Sequence, residues 1–260
     1  MEFMKMKIAV SVLANDNGGY AGMVEGCRNT WAKNCPENTK VYFNYGIRYM
    51  NTHGIEVPED MNVIVIEPDI MVCNAPEAYR FLLQKQIMAF DALLQMDDYD
   101  YIVRPNCGSY INLDLLNDFL EDKPRTGFYC GIVNKTEVNK DTMNAQGLRY
   151  NPENFKALKD LDLEYASGSC MIFSRDVIKY IVDNLQDLNY DGTEGIMDDV
   201  SIGMLLDGKF DLTEGQRVDV NSEQAVEEKF DPTVYHYYYQ STRNSDLHYK
   251  VHELFEGVKV

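Results

Sequence analysis

The chain has 260 residues, with 42 Asp or Glu against 24 Lys or Arg, for a formal net charge of −18 and a pI near 4.5. Binding of nucleic acid or an anionic membrane through general surface charge is disfavoured, because such binders draw affinity from basic patches and counterion release. A composition of 45% hydrophobic and 25% charged residues is that of a globular chain with a core. No Pro-, Gly- or Ser-rich linker divides it, so one domain spanning 1–260 is expected.

The N-terminal stretch Met1–Lys7 is too short and too charged for a signal peptide. The apolar run Ile8–Ala14 reaches seven residues, whereas a membrane span needs about twenty. A cytoplasmic protein without a membrane anchor is therefore expected. Lys7–Ala14 reads as a buried strand that breaks at Asn15-Asp16-Asn17-Gly18-Gly19, a run of turn formers. A helix follows over Gly22–Lys33, then strands over Lys40–Gly46 and Met61–Glu67. A long helix is predicted between Pro76 and Met96, with Phe81, Leu82, Met88, Ala89, Ala92, Leu93 and Met96 on its apolar face. Asp100–Arg104 gives a strand, and Asn112 caps a helix carrying Leu113, Leu116, Phe119 and Leu120. Gly127–Val133 and Ser169–Phe173 are further strands. Ser174 is placed to cap a helix with Val177, Ile178, Ile181, Val182 and Leu185 on one stripe. Val200–Leu206 is a short helix ended by Gly208, and Thr233–Gln240 is an aromatic strand. His248 and His252, four residues apart without the metalloprotease Glu between them, read as a solvated helix face.

Alternating strands and helices predict an α/β fold with a mixed, mostly parallel central sheet flanked by helices. Ligands on such sheets bind beyond the carboxyl ends of the strands. That directs attention to Leu13, Ala14 and the loop from Asn15 to Gly22, and to Pro105–Tyr110. Several chemistries drop out. Gly18–Gly22 lacks the Lys-Ser/Thr of a Walker A loop and the Gly-x-Gly-x-x-Gly dinucleotide pattern. Ser167-Gly168-Ser169 is no Gly-x-Ser-x-Gly nucleophile elbow. The six cysteines are scattered, with no Cys-x-x-Cys pair, and read as free thiols.

Four segments, in order, carry a resemblance. They are Arg28-Asn29-Thr30-Trp31; Tyr99-Asp100-Tyr101-Ile102-Val103-Arg104; the run from Tyr165-Ala166-Ser167-Gly168 to Ser174-Arg175-Asp176; and Met197-Asp198-Asp199-Val200-Ser201-Ile202-Gly203. Together they resemble the β-1,3-galactosyltransferase and Fringe-like glycosyltransferases, which have the GT-A nucleotide-sugar fold. The resemblance implies sugar transfer from a UDP- or GDP-sugar donor to a hydroxyl of a glycan or small-sugar acceptor, with inversion. It implies a donor nucleotide half over 1–112 and an acceptor and catalytic half over 113–260. Leu13, Ala14, Asn15, Arg28, Arg104, Asn106 and Arg243 would face the donor. Ser109, Ser167, Gly168 and Tyr237 would face the acceptor. Asp199, with Asp198 beside it, would supply the base that deprotonates the attacking hydroxyl.

The sequence departs from the family where an acidic metal motif is expected after the Tyr99–Arg104 strand, reading Asn106-Cys107-Gly108 instead. Activity without manganese or magnesium is therefore expected, with Arg28, Arg104 and Arg243 as cations for the departing diphosphate. His236 resembles a C-terminal His that ligates metal or diphosphate in related enzymes. Bland alternatives stay open: either Asp could merely cap its helix, Arg28 could pair with a carboxylate, Trp31 could anchor the first helix, and the Tyr235–Tyr239 cluster could simply fill a strand. An inactive or lectin-like relative, or an acidic interaction protein using the fold as scaffold, would share these features. Asp183–Asp231 holds 14 acidic and 3 basic side chains, so −11 of the charge surrounds the proposed base. A neutral acceptor is expected there.

Overall fold

The computed structural model describes residues 5–136, 163–185, 198–240 and 242–258, apart from positions 57, 59 and 67. In chain order the first elements are β1 (Ile8–Leu13), α1 (Gly19–Asn29), β2 (Thr39–Tyr45), α2 (Arg48–Thr52), β3 (Val63–Ile66) and β4 (Ile70–Cys73). A 3-10 turn (Tyr79–Phe81) leads into α3 (Leu82–Met96), β5 (Tyr101–Pro105), β6 (Ser109–Ile111), α4 (Leu113–Glu121) and β7 (Tyr129–Thr136). Then come β8 (Leu163–Ser174), α5 (Arg175–Asp183), α6 (Asp198–Leu206), β9 (Leu212–Glu214), β10 (Val218–Val220), α7 (Glu223–Lys229), β11 (His236–Tyr239) and α8 (Asp246–Val258).

Eight strands form the main sheet in the order β3-β4-β2-β1-β5-β8-β7-β9, and β10-β11-β6 form a small second one. The centre, β4-β2-β1-β5, is parallel, while β8 runs antiparallel between β5 and β7. Strand alternation splits the core into two faces. Ile8, Val10, Val12, Phe43, Tyr101 and Val103 pack on one side with α1, α4 and α8 residues. Ala9, Tyr42, Ile102 and Phe173 pack on the other with residues of α3, α5 and α6. A period of two along each strand, with helices covering both faces, is what a buried parallel sheet requires.

Two consequences of this order build the cleft described below. Parallel β1 and β5 end side by side, joined beyond their ends by a bridge between Leu13 and Asn106. Because β8 is antiparallel to β5, its first half, Tyr165–Ser169, emerges at that same end. There α6 lies on β8 so closely that a Cβ on Gly203 would sit 2.4 Å from Tyr165 Cβ. Only glycine permits that approach.

Some expectations need correction. The long helix begins at Leu82, not Pro76, because Glu77 and the 3-10 turn are drawn toward the ends of β1 and β2. The stretch Thr233–Gln240 pairs as a strand only over His236–Tyr239. The Ser169–Phe173 strand is the second half of a twelve-residue one. Ser174 makes no capping bond; its hydroxyl meets Asp176 Oδ1 at 2.6 Å and Phe128 N at 2.9 Å. Asn112 does cap α4, accepting from Leu115 N at 3.1 Å. His248 is no solvated residue: its ring is fully buried against Gly26 of α1, with Nε2 3.0 Å from the Cys107 carbonyl. His252 Nδ1 lies 2.9 Å from Tyr110 Oη. Trp31 is buried in the core with α1.

Candidate active site

At the carboxyl ends of β1 and β5 opens a cleft of about 650 Å³. Leu13, Ala14 and Asn15 enter it from β1, Arg104 and Asn106 from β5, Ser167 and Gly168 from β8, Asp198 and Asp199 from α6, and Arg243 from the segment before α8. The topology thus brings together residues up to 230 positions apart, from Leu13 to Arg243.

Arg104 is buried at the cleft floor, where an unpaired guanidinium would be costly. It is paired and hydrogen-bonded: Nη2 donates to Asp198 Oδ2, Nη1 to the Gly168 carbonyl, and Nε to Gln86 Oε1 at 3.2 Å. Asp198 is thereby the counter-ion that fixes Arg104 beneath the site. Asp199, next to it, has no cationic hydrogen-bond partner among the described residues. Its Oδ2 accepts from Gly168 N at 2.9 Å and its Oδ1 from Val200 N at 2.9 Å. Burial, reinforced by the Asp198 charge and opposed by the Gly168 amide, pushes its carboxyl up to about 6. The result is two adjacent carboxylates with different jobs, one structural and one available to titrate.

Four sequence-predicted residues lie outside the cleft lining. Arg28 donates to Asp69 Oδ2 at 2.5 Å and rests 4.1 Å over the Phe43 ring, where it joins the end of α1 to β2 and the turn before β4. Ser109 and His236 are buried in the small sheet, with His236 Nε2 3.0 Å from Ser109 Oγ. Burial, aided by the Arg217 charge, drives His236 down to about 3, so it is neutral. Tyr237 is buried with its hydroxyl on the Asp231 carbonyl at 2.7 Å. The neighbouring Tyr238 and Tyr239 line the cleft instead.

Other residues of the site carried little signal. Lys85, 1% exposed, donates to the Ala14 carbonyl at 2.9 Å and to Glu77 Oε1 at 2.6 Å. Glu77 Oε2 in turn accepts from Gly46 N at 2.6 Å, so the pair ties together the ends of β1 and β2. A lysine within the apolar stripe of α3 is the clue that sequence alone could have offered. Tyr79 and Tyr20 also line the cleft. Arg243 stacks 4.1 Å over the Tyr20 ring and donates to its hydroxyl at 2.9 Å. Among the described cleft cations it is the one with no carboxylate partner, since Lys85 and Arg104 are neutralised by Glu77 and Asp198.

Among the described residues the cleft shows no ready-made donor cluster for a hard divalent ion. Asn106 Oδ1 is turned into its own loop, accepting from Gly108 N at 2.9 Å and Ser109 Oγ at 3.3 Å. Among the described residues no group of three or more His, Cys, Asp or Glu side chains is placed to hold a metal.

A mixed sheet of this order, opening at its strand ends onto a cleft, is the architecture of the GT-A-type glycosyltransferase fold. The apo glycosyltransferase GlyE of Streptococcus pneumoniae TIGR4 shares that fold, with a TM-score of 0.50 at 11% identity over 97% of this chain. The match covers 64% of the GlyE chain, so this chain spans less than two thirds of it. Similarity extends to the galactosyltransferase LgtC in complex with donor and acceptor sugar analogs, with a TM-score of 0.47, 11% identity and 95% coverage of both chains. A glycosyltransferase involved in glycosylation of the major capsid of PBCV-1 gives 0.45 at 8% identity, over 95% of this chain and 99% of its own. No curated protein matches the sequence. The galactosyltransferase family model matches residues 26–212, and the chain belongs to that family.

Proposed function

We propose that the protein transfers a sugar from a UDP- or GDP-sugar to the hydroxyl of a neutral glycan or small-sugar acceptor, with inversion and without a divalent metal. The single observation that carries the proposal is Asp199: a carboxylate in the cleft, aimed by two backbone amides, with an ionisation near the range a general base needs. In the reaction, Asp199 takes the proton of the acceptor hydroxyl as its oxygen bonds to the anomeric carbon. The bond from that carbon to the diphosphate breaks, and its electron pair leaves on the diphosphate. Arg243 is the cation able to turn to that charge, because Lys85 and Arg104 are already paired. Residues 1–112 serve mainly the donor and 113–260 the acceptor and base. No described helix is long and apolar enough to cross a membrane, which is compatible with work in the cytoplasm.

The test is calorimetry with UDP- and GDP-sugars followed by product analysis. Asp199→Asn is expected to keep donor affinity within about twofold and to lose transfer by about 10²–10⁴-fold. Unchanged turnover in that variant would remove Asp199 as the base. Donor binding without turnover by the unaltered protein would favour a carbohydrate-binding relative.

A further inference from the structure

Arg217 stands one residue ahead of β10 with a side chain 15% exposed, outside the cleft lining, yet it reaches three residues that form that lining. Its Nη1 donates to Ser167 Oγ at 3.2 Å and to Ser169 Oγ at 3.0 Å. Its guanidinium carbon lies 5.3 Å from the Tyr238 ring centroid. Asp219 holds the other edge, at 2.9 Å from Nε and 3.1 Å from Nη2.

The direction of these bonds is forced. A guanidinium has only N–H groups, so both serine oxygens must accept from it. Ser167 Oγ accepts again from Ser169 N at 3.4 Å. Among the described residues neither hydroxyl finds an acceptor for its own proton. Two O–H donors are thus left side by side in the cleft wall, polarised by the cation behind them. Between them sits Gly168, whose amide holds Asp199 and whose carbonyl holds Arg104. Both serines and Asp199 line the same cleft.

We propose that Arg217 is the positioning residue of the acceptor subsite, setting Ser167 and Ser169 as donors to an oxygen of a neutral saccharide whose neighbouring hydroxyl meets Asp199. This rests on the glycosyltransferase function proposed above. An anionic sugar could also accept from the two serines, but Asp199, without a cationic partner among the described residues, opposes it.

The test uses the full chain, the donor that calorimetry selects from the UDP- and GDP-sugar panel, and methyl β-galactoside, methyl β-glucoside and methyl β-glucuronide as acceptors. Arg217→Met is expected to raise the KM for a neutral glycoside at least tenfold while donor Kd stays within twofold. Arg217→Lys, which keeps a donor cation, should recover part of that loss. Ser167→Ala should raise acceptor KM by itself and add little in the Arg217→Met background, because the two act through one contact. Should Arg217→Met fail to fold, the Ser167→Ala and Arg217→Lys results decide alone. Unchanged acceptor KM in Ser167→Ala, additive losses, an equal shift in donor Kd, or preference for the glucuronide would each overturn the proposal. So would donor binding with no transfer to either neutral glycoside. Absence of binding to every donor by the unaltered protein would instead sink the glycosyltransferase function itself.

Discussion

Asp199 owes its ionisation to its surroundings. Burial is the larger cause and the Asp198 charge the second, and together they put the carboxyl at about 6. A base must be deprotonated to work, so transfer should fall as pH drops through about 6 and level off above it, in a pH–rate profile taken with saturating donor. The same shift has a cost for folding. The folded-state value lies above that of an unfolded Asp, about 4, so the native state holds the extra proton between those values and loses stability as pH rises through them. Asp199→Asn should therefore melt at a higher temperature than the unaltered protein at pH 8, and the gap should close below pH 4. At this scale the sequence was informative about residue type and weaker about direction. Asp-Asp ahead of an apolar helix is legible, but which of the two faces Arg104 depends on where β5 lies. Arg28 and His236 have the chemistry of a diphosphate or metal site, and only packing reveals that Asp69 and Ser109 already engage them.

Asp198 and the proposed base Asp199 arrive on α6, and the seating of that helix is set by one contact. A methyl at Gly203 would meet Tyr165 Cβ at 2.4 Å and Tyr165 Cα at 3.4 Å, too close for either helix or strand to remain in place. Overpacking of this kind costs about 1–3 kcal/mol, whereas the helix-propensity gain of Ala over Gly is about 1 kcal/mol. The clash wins. Gly203→Ala should lower the melting temperature and reduce kcat more than donor affinity, since it displaces Asp199 and leaves the end of β1 untouched. A melting temperature that rises would show that α6 can slide freely on β8. Elements with strong periodicity, such as β1, β5, α4 and α5, were readable from sequence. The antiparallel partner of β3 was not, because only a short turn separates Val63–Ile66 from Ile70–Cys73. Short β9, β10 and α7 lack enough residues to show a period, and their identity comes from neighbours distant in the chain.

Across the described molecule, an excess of negative charge goes with few cations at the cleft, most of them paired. Of Lys85, Arg104 and Arg243, two are neutralised in buried pairs, and no described carboxylate set offers a replacement by metal. Transfer should accordingly persist in excess EDTA. Complete loss, restored by manganese, would show that a metal enters through residues other than these. The parallel half of the sheet and the acidic character of the second half were both visible in the sequence. That β8 returns antiparallel to carry Ser167–Ser169 back to the ends of β1 and β5 was not, since it is a matter of long-range pairing.

The Arg104–Asp198 pair also bears on how such a protein can change over generations. Either residue lost alone leaves its partner as a buried, uncompensated charge, a defect of about 3–5 kcal/mol, against a typical total stability of about 5–15 kcal/mol. The two positions, 94 apart in the chain, therefore behave under selection as one heritable unit. A lineage leaving this arrangement must exchange both together or pass through forms with little stability to spare, which leaves the serines of β8 freer to vary toward new acceptors than the ion pair beneath them.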